Sequence, residues 1–414
     1  MPEAAPAPAA PGRVLLALIG AQIGVHGAMA GLRMAASLQA LREGYSPWAV
    51  GVLLSLFAAG PVLMALHSGR MVDRHGYHRP LRYGVGLGLA GIVLALASTF
   101  VSGGLHFGLL CGAASFTGAG ANLGLIASLR TAGRSARDAT ERVRIFSWVG
   151  IAPSFANVVG PVSAGFMIDA AGFRAAYLLL GALPLLGLAL TRWVPVEHAP
   201  GVAAGVAGIG ASAGADDDGA AVVAAPAARA WGLFGAPGVR RLLFVNWLLS
   251  MCWDVHAFAV PVLGHERGLS ATVIGLILGS FTFSVSFVRL LIPLLAHRLR
   301  EVTVLLGAMA GTALLFAIYP LVPTAGWMAG CSIALGLTLG AVQPMILSTL
   351  HHLTPPERHG EALALRSMTI NASSTLMPLL FGAVGASVGA AVLFWAVGAA
   401  VGAGTWVARR LVRI

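Results

Sequence analysis

Twelve apolar stretches constrain this chain more than any other feature of its sequence. A membrane helix needs about 20 apolar residues to cross a hydrocarbon core of roughly 30 Å. Only 10% of the residues are charged, against roughly a quarter in soluble domains, and the mean hydropathy is +0.85. We therefore predict an all-α membrane protein and exclude a water-soluble enzyme. The stretches, numbered here as spans 1 to 12, are 14–40, 47–68, 82–101, 105–129, 145–168, 175–194, 239–263, 271–296, 302–320, 326–350, 362–386 and 388–408.

The basic residues orient these spans in the membrane. All 26 of them are arginines. With the amino terminus placed inside, twenty lie in the inner segments, three in the outer loops and three within spans. Because arginine accumulates on the cytoplasmic side, both termini are predicted to be cytoplasmic. The same distribution explains the net charge of +11 without nucleic-acid binding, which we do not expect.

The chain divides into two related halves. We predict a cytoplasmic amino-terminal tail at 1–13, a six-helix bundle at 14–194, a flexible cytoplasmic linker at 195–238, a second bundle at 239–408 and a cytoplasmic tail at 409–414. The linker is predicted from its Ala, Gly and Pro content. At an offset of 224 residues, Ser46 aligns with Ser270 and Gly51 with Gly275. Parallel repeats of this kind are typical of alternating-access carriers whose site lies near the midplane between the halves.

The loop after span 2 carries a family motif. It reads Gly-Arg-Met-Val-Asp-Arg-His-Gly from Gly69 through Asp73 and Arg74 to Gly76, and it resembles the signature loop of the major facilitator superfamily. Span 5 contains Gly160-Pro161, which resembles the antiporter motif of that superfamily. The resemblance implies two pseudo-symmetric six-helix bundles. It also implies that the four loop residues are gating residues, which latch the outward-facing state against span 11.

Polar residues share one face in span 1 and in span 7. They are Gln22, His26 and Arg33 in span 1, and Asn246, Ser250 and Asp254 in span 7. Their separations of four and seven residues place them on one side of a helix. The 224-residue offset aligns Gln22 with Asn246 and His26 with Ser250. We therefore predict a shared central cavity in which these four residues bind the substrate.

The charged residues within spans receive separate roles. Asp254 is a candidate proton-coupling acid, because a charge at the bilayer centre costs about 3 kcal/mol or more; pairing with Arg33 is the alternative. Arg289 is predicted to bind substrate, since a guanidinium suits a carboxylate, and an internal salt bridge with Asp254 stays open. Gln343 is a further candidate substrate-binding residue. Arg33 and Arg366 lie nearer the two mouths and are assigned to gating.

These residues predict a secondary transporter that moves a small organic solute by alternating access. Arginines outnumber acids within the spans, which favours an anionic, carboxylate-like solute, and proton coupling stays open. The alternative is a proton antiporter that exports lipophilic drugs or metabolites. We expect no enzyme activity, cofactor or metal. We expect a monomer in the lipid bilayer, in a bacterial inner (plasma) membrane, with the solute and possible coupling protons as its partners.

Overall fold

The computed structural model describes residues 11–135, 139–195, 231–295, 300–355 and 358–411. Every regular element within these ranges is helical. Most of the predicted amino-terminal tail and linker, at 1–10 and 196–230, and half of the predicted carboxy-terminal tail, at 412–414, lie outside the described residues. The helices of the first half are Pro11–Arg42, Pro47–His75, His78–Ser98, Gly103–Ser135 and Ala139–Leu190. Those of the second half are Pro237–Glu266, Ala271–Leu295, Glu301–Ile318, Ala325–Gly340, Val342–Leu353, His359–Val388 and Ala390–Arg409.

These helices account for all twelve predicted spans. Ten segments of the described chain are long and apolar enough to cross a membrane. One of them, Trp148–Trp193, contains both span 5 and span 6, which are separated at Gly172 by a φ of +81° that favours glycine. Span 11 is helical over His359–Val388 but is not among the ten. The predicted all-α fold of two six-helix bundles is confirmed.

Span 10 is built from two helical segments that meet at Ala341. Pro344 follows this junction and has no N–H, so the carbonyl of Gly340 loses its usual helical partner. The break places Gln343 in the first turn of the second segment, Val342–Leu353. The missing N–H of Pro344 thus explains the helix break inside the membrane at which Gln343 lies.

The two bundles pack closely through spans 2 and 11 and through spans 5 and 8. A Cβ at Gly51 would overlap the carbonyl oxygen of Pro378, and a Cβ at Gly275 would overlap that of Pro161. A Cβ at Gly165 would likewise overlap the carbonyl of Ala271. Small residues allow such approaches where no hydrophobic driving force acts between helices. All these contacts lie toward the outer ends of the spans, on the side assigned by the arginine distribution.

A carboxylate from the first bundle caps a helix of the second at the same outer end. Asp169, just past the predicted end of span 5, accepts hydrogen bonds from the N–H groups of Ala271 at 3.1 Å and Thr272 at 2.7 Å. Burial alone would raise the pKa of Asp169, but hydrogen bonds from Thr272, Ala271 and Ser270 outweigh it and lower that pKa. The first N–H groups of a helix otherwise lack partners and attract negative charge. Asp169 therefore stabilises the outer closure.

Replacing Asp169 with alanine is expected to loosen that closure. Loss of such a cap costs about 1 kcal/mol, equivalent to a roughly fivefold shift between closed and open populations. The measurement is the rate at which an impermeant maleimide, added from outside, labels a cysteine introduced at Met34 in the cavity wall. Arg42→Ala is the matched control, since Arg42 only approaches Asp169 at 3.9 Å with both side chains partly exposed. Equal labelling rates in both variants would contradict the capping role.

The stabilisation of the outer closure by Asp169 depends on pH with a defined sign. Because the closed state lowers the pKa of Asp169, its stabilising contribution is present above the ordinary carboxylate pKa. It is lost as the pH falls through the lowered value. Because the reactive thiolate of the introduced cysteine becomes scarcer in acid in every variant, the measurement is the ratio of the labelling rate at Met34 in the unaltered protein to that in Asp169→Ala. This ratio should be below one near neutral pH and rise toward one in acid.

Candidate functional site

A cavity of about 250 Å³ lies between the two bundles. It is lined by spans 1, 2, 4 and 5 of the first half and by spans 7, 8, 10 and 11 of the second. Most of its wall is apolar, with Phe57, Trp253 and Phe281 as its aromatic residues. Six of the predicted site residues line it, and they are His26, Arg33, Ser250, Asp254, Arg289 and Gln343. The predicted stripes of spans 1 and 7 therefore meet in one space.

Asp254 is held at the cavity wall by span 11. It is 5% exposed, and its carboxylate accepts hydrogen bonds from Ser373 at 2.8 Å and Ser374 at 3.3 Å. Arg33, from the other bundle, lines the same cavity. A buried charge with a hydrogen-bonded, oppositely charged environment is the arrangement that a membrane interior permits. Asp254 thus lies buried at the wall of the cavity that Arg33 also lines, and both roles of this acid, proton coupling and pairing with Arg33, stay predictions.

The two remaining predicted cations occupy different places. Arg289 lines the cavity beside Thr282, with which it shares a helical face. Arg366 is 3% exposed and does not line the cavity. Its Nη2 donates a hydrogen bond to Oε1 of Gln343, so that span 11 holds the polar residue at the break of span 10. Arg366 thereby orients a cavity residue.

Gln22 and Asn246 do not line the cavity, although both were predicted to bind substrate. Each is fully buried, and the amide atoms of both have no hydrogen-bond partner in the described structure. Gln22 lies one turn inward of His26 and packs toward Gly124 of span 4. Helical periodicity identified the correct inward face, but it carries no information about depth along that face.

The predicted gating loop lies at the inner end of span 2. Asp73 is exposed and forms an ion pair of 3.5 Å with Arg130 of span 4, in its own bundle. Arg130 also donates to the backbone carbonyl of Asp73 at 3.4 Å. Gly76 ends the helix with a φ of +66°, Arg74 is exposed, and Gly69 is half-buried. Asp73 is thus paired within its own bundle, and the latch of this loop against span 11 stays a prediction.

Several cavity residues were not among the predicted site residues. Span 11 contributes Ser374 to the cavity wall. Its neighbour Ser373 is fully buried and binds Asp254 without lining the cavity. Both serines lie in the polar run from Thr369 to Thr375. That run, in an otherwise apolar span, was the available signal. His256 also lines the cavity; its Nε2 lies 2.9 Å from Oγ of Ser332, and its ring stacks on that of Phe281.

A model of the Major Facilitator Superfamily matches residues 15–250 and 242–414. The chain belongs to the major facilitator superfamily. It is a multi-pass membrane protein of a family of secondary transporters of small solutes, which are generally not enzymes. No relative among curated proteins matches the chain.

Solved transporters share this fold at low sequence identity. A mutant of the nucleoside transporter NupG is 13% identical with a TM-score of 0.69, over 96% of this chain and 99% of that one. A POT family transporter in complex with a thioalcohol-conjugated peptide is 14% identical with a TM-score of 0.68, over 95% and 94%. Another, in complex with 5-aminolevulinic acid, is 12% identical with a TM-score of 0.66, over 95% and 94%. At these identities the likeness concerns the superfamily fold.

Proposed function

We propose that this superfamily member carries a small organic anion with a carboxylate group, by alternating access and with proton coupling. The observation that carries the proposal is the charge of the cavity wall. Among the described lining residues it contains two guanidinium groups, Arg33 and Arg289, and one carboxylate, Asp254. An arginine can bind a carboxylate in a bidentate manner. The low-dielectric wall strengthens that attraction.

The roles follow from the positions of these groups. Arg289 binds the carboxylate of the solute, and His26, Ser250 and Gln343 contact the rest of it. Asp254 takes up and releases the coupling proton. Arg33 pairs with Asp254 when the acid is ionised and separates from it when the acid is protonated. A cavity of about 250 Å³ lies just below the usual range for ligand pockets, roughly 300–1,000 Å³. This size favours a small solute.

Alternation then requires opening of the outer interface and closing of the inner one. The glycine contacts and the Asp169 cap break at the outer end, while Gly69, Asp73, Arg74 and Gly76 act as the inner latch. Arg366 controls the orientation of Gln343 during this change. The protein would work in a bacterial inner membrane with both termini in the cytoplasm.

Export of lipophilic compounds by proton antiport is the second candidate. It is favoured by the apolar and aromatic lining from Phe57, Trp253 and Phe281. One experiment separates the two: thermal stabilisation of the purified protein by small carboxylates, neutral sugars and cationic dyes, followed by flux in proteoliposomes. The anion proposal expects stabilisation and flux with carboxylates only. Stabilisation by dyes alone would replace it with the second candidate.

A further inference from the structure

Three neutral polar side chains of the cavity wall have buried atoms without a hydrogen-bond partner in the described structure. These atoms are Nδ1 of His26 in span 1, both amide atoms of Asn122 in span 4, and Oγ of Ser250 in span 7. Asn122 is 4% exposed and Ser250 6% exposed. Gln22 and Asn246 also have unpartnered amides but do not line the cavity, so that Asn122 is the described lining residue whose amide donor and acceptor both lack a partner.

Several other neutral polar side chains of the same wall donate hydrogen bonds within the protein. Asn157 donates to the carbonyl of Pro153 at 2.9 Å, and Thr282 donates to that of Leu278 at 3.3 Å. Ser374 donates to Asp254. Buried polar groups in native proteins are nearly always hydrogen-bonded, so each exception calls for an explanation. Asn122 is one of the residues that line the cavity, and a bound solute is the explanation that this position offers.

The packing of span 4 presents Asn122 to that cavity. Gly118, Ala121, Asn122 and Leu125 all line it and recur at the spacing of one helical face. On a different face, Gly120 packs so closely on the backbone of span 3 that a Cβ would overlap it. Asn122 is the polar residue of the cavity face, and the rest of that face is apolar.

We propose that Asn122 determines substrate specificity by hydrogen bonding a hydroxyl group of the transported anion, together with Ser250. This inference rests on the proposed function and narrows its substrate class to hydroxycarboxylates. A hydroxyl both donates and accepts, and so it satisfies an amide whose donor and acceptor are both unpartnered. A site built around such a bond rejects the analogue that lacks the hydroxyl, since its own polar groups then stay unpaired.

The experiment compares anions that differ only in one hydroxyl. Lactate is paired with propionate, and malate with succinate, in calorimetric titrations of the purified full-length protein. The hydroxylated member is expected to bind about tenfold more tightly, as one added hydrogen bond predicts. In Asn122→Leu that preference should disappear through weaker binding of the hydroxylated member, while binding of its partner is retained. Asn122→Ser, which keeps a donor and an acceptor, should retain part of the preference.

Two further measurements separate ligand binding from a structural role. The melting temperature of ligand-free Asn122→Leu should not fall, because no protein hydrogen bond is lost, whereas a residue that ties helices together would lower it. Asn157→Leu is the matched control and should change binding of both members of a pair alike. Equal binding of both members by the unaltered protein, or an equal loss of both in Asn122→Leu, would overturn this inference alone. If no carboxylate binds, the proposed function fails and this inference fails with it.

Discussion

Arg289→Ala is expected to abolish binding of small carboxylates. A hydrogen bond to a charged group contributes about 1.5–3 kcal/mol, and a bidentate arginine makes two. The dissociation constant should therefore rise about a hundredfold or more. The measurement is calorimetric titration with the carboxylate that stabilises the unaltered protein most, repeated as counterflow in proteoliposomes.

Two variants control for charge and for folding. Arg289→Lys keeps the charge but loses the planar guanidinium that can bind a carboxylate through two hydrogen bonds. Its affinity for the carboxylate should lie between that of the unaltered protein and that of Arg289→Ala. Arg174→Ala removes an exposed arginine that donates to Thr99 at the outer surface, and it should bind normally. Unchanged carboxylate binding in Arg289→Ala would reject the assigned role of this residue. Unchanged flux of cationic dyes in the same variant, with no carboxylate flux in any form, would favour the antiport candidate.

Asp254→Asn is expected to abolish transport driven by a pH gradient while counterflow persists. Because an amide cannot take up the proton, proton movement down the gradient is no longer coupled to transport of the solute. The amide oxygen still accepts the hydrogen bonds that Ser373 and Ser374 donate, and the cavity wall should keep its shape. The measurement compares uptake with and without an imposed pH gradient against exchange of labelled for unlabelled solute.

Ser373→Ala serves as the matched control for this variant. It removes one hydrogen bond to Asp254 but leaves the ionisable group, so pH-driven uptake should persist with a shifted pH profile. If Asp254→Asn still accumulated solute in response to the gradient, Asp254 would not be the coupling acid. Loss of both gradient-driven uptake and counterflow would indicate that the acid is needed for alternation itself.

Much of the fold was predictable because a bilayer leaves few alternatives. Apolar stretches of the right length must be helical where no water can satisfy the backbone, and the arginine distribution predicts their orientation. The alignment of Gly51 with Gly275 predicted two related bundles, and each of these glycines proved to be a point of close approach between them. Even the helix break at Ala341 has a local cause, Pro344.

The site was predictable only in part. The sequence alone determined the twelve helices, the twofold repeat and the inward faces that carry His26, Arg33, Ser250 and Asp254, because helical periodicity is a local property. The tertiary structure decided which residues reach the cavity: it excluded Gln22 and Asn246 and added Asn122 and Ser374. It also decided that Ser373 and Ser374 of span 11 donate hydrogen bonds to Asp254 of span 7. The depth of a residue along its helix relative to the cavity, and the side chains that other spans bring to it, depend on how the helices pack. The sequence of a single helix does not encode that packing.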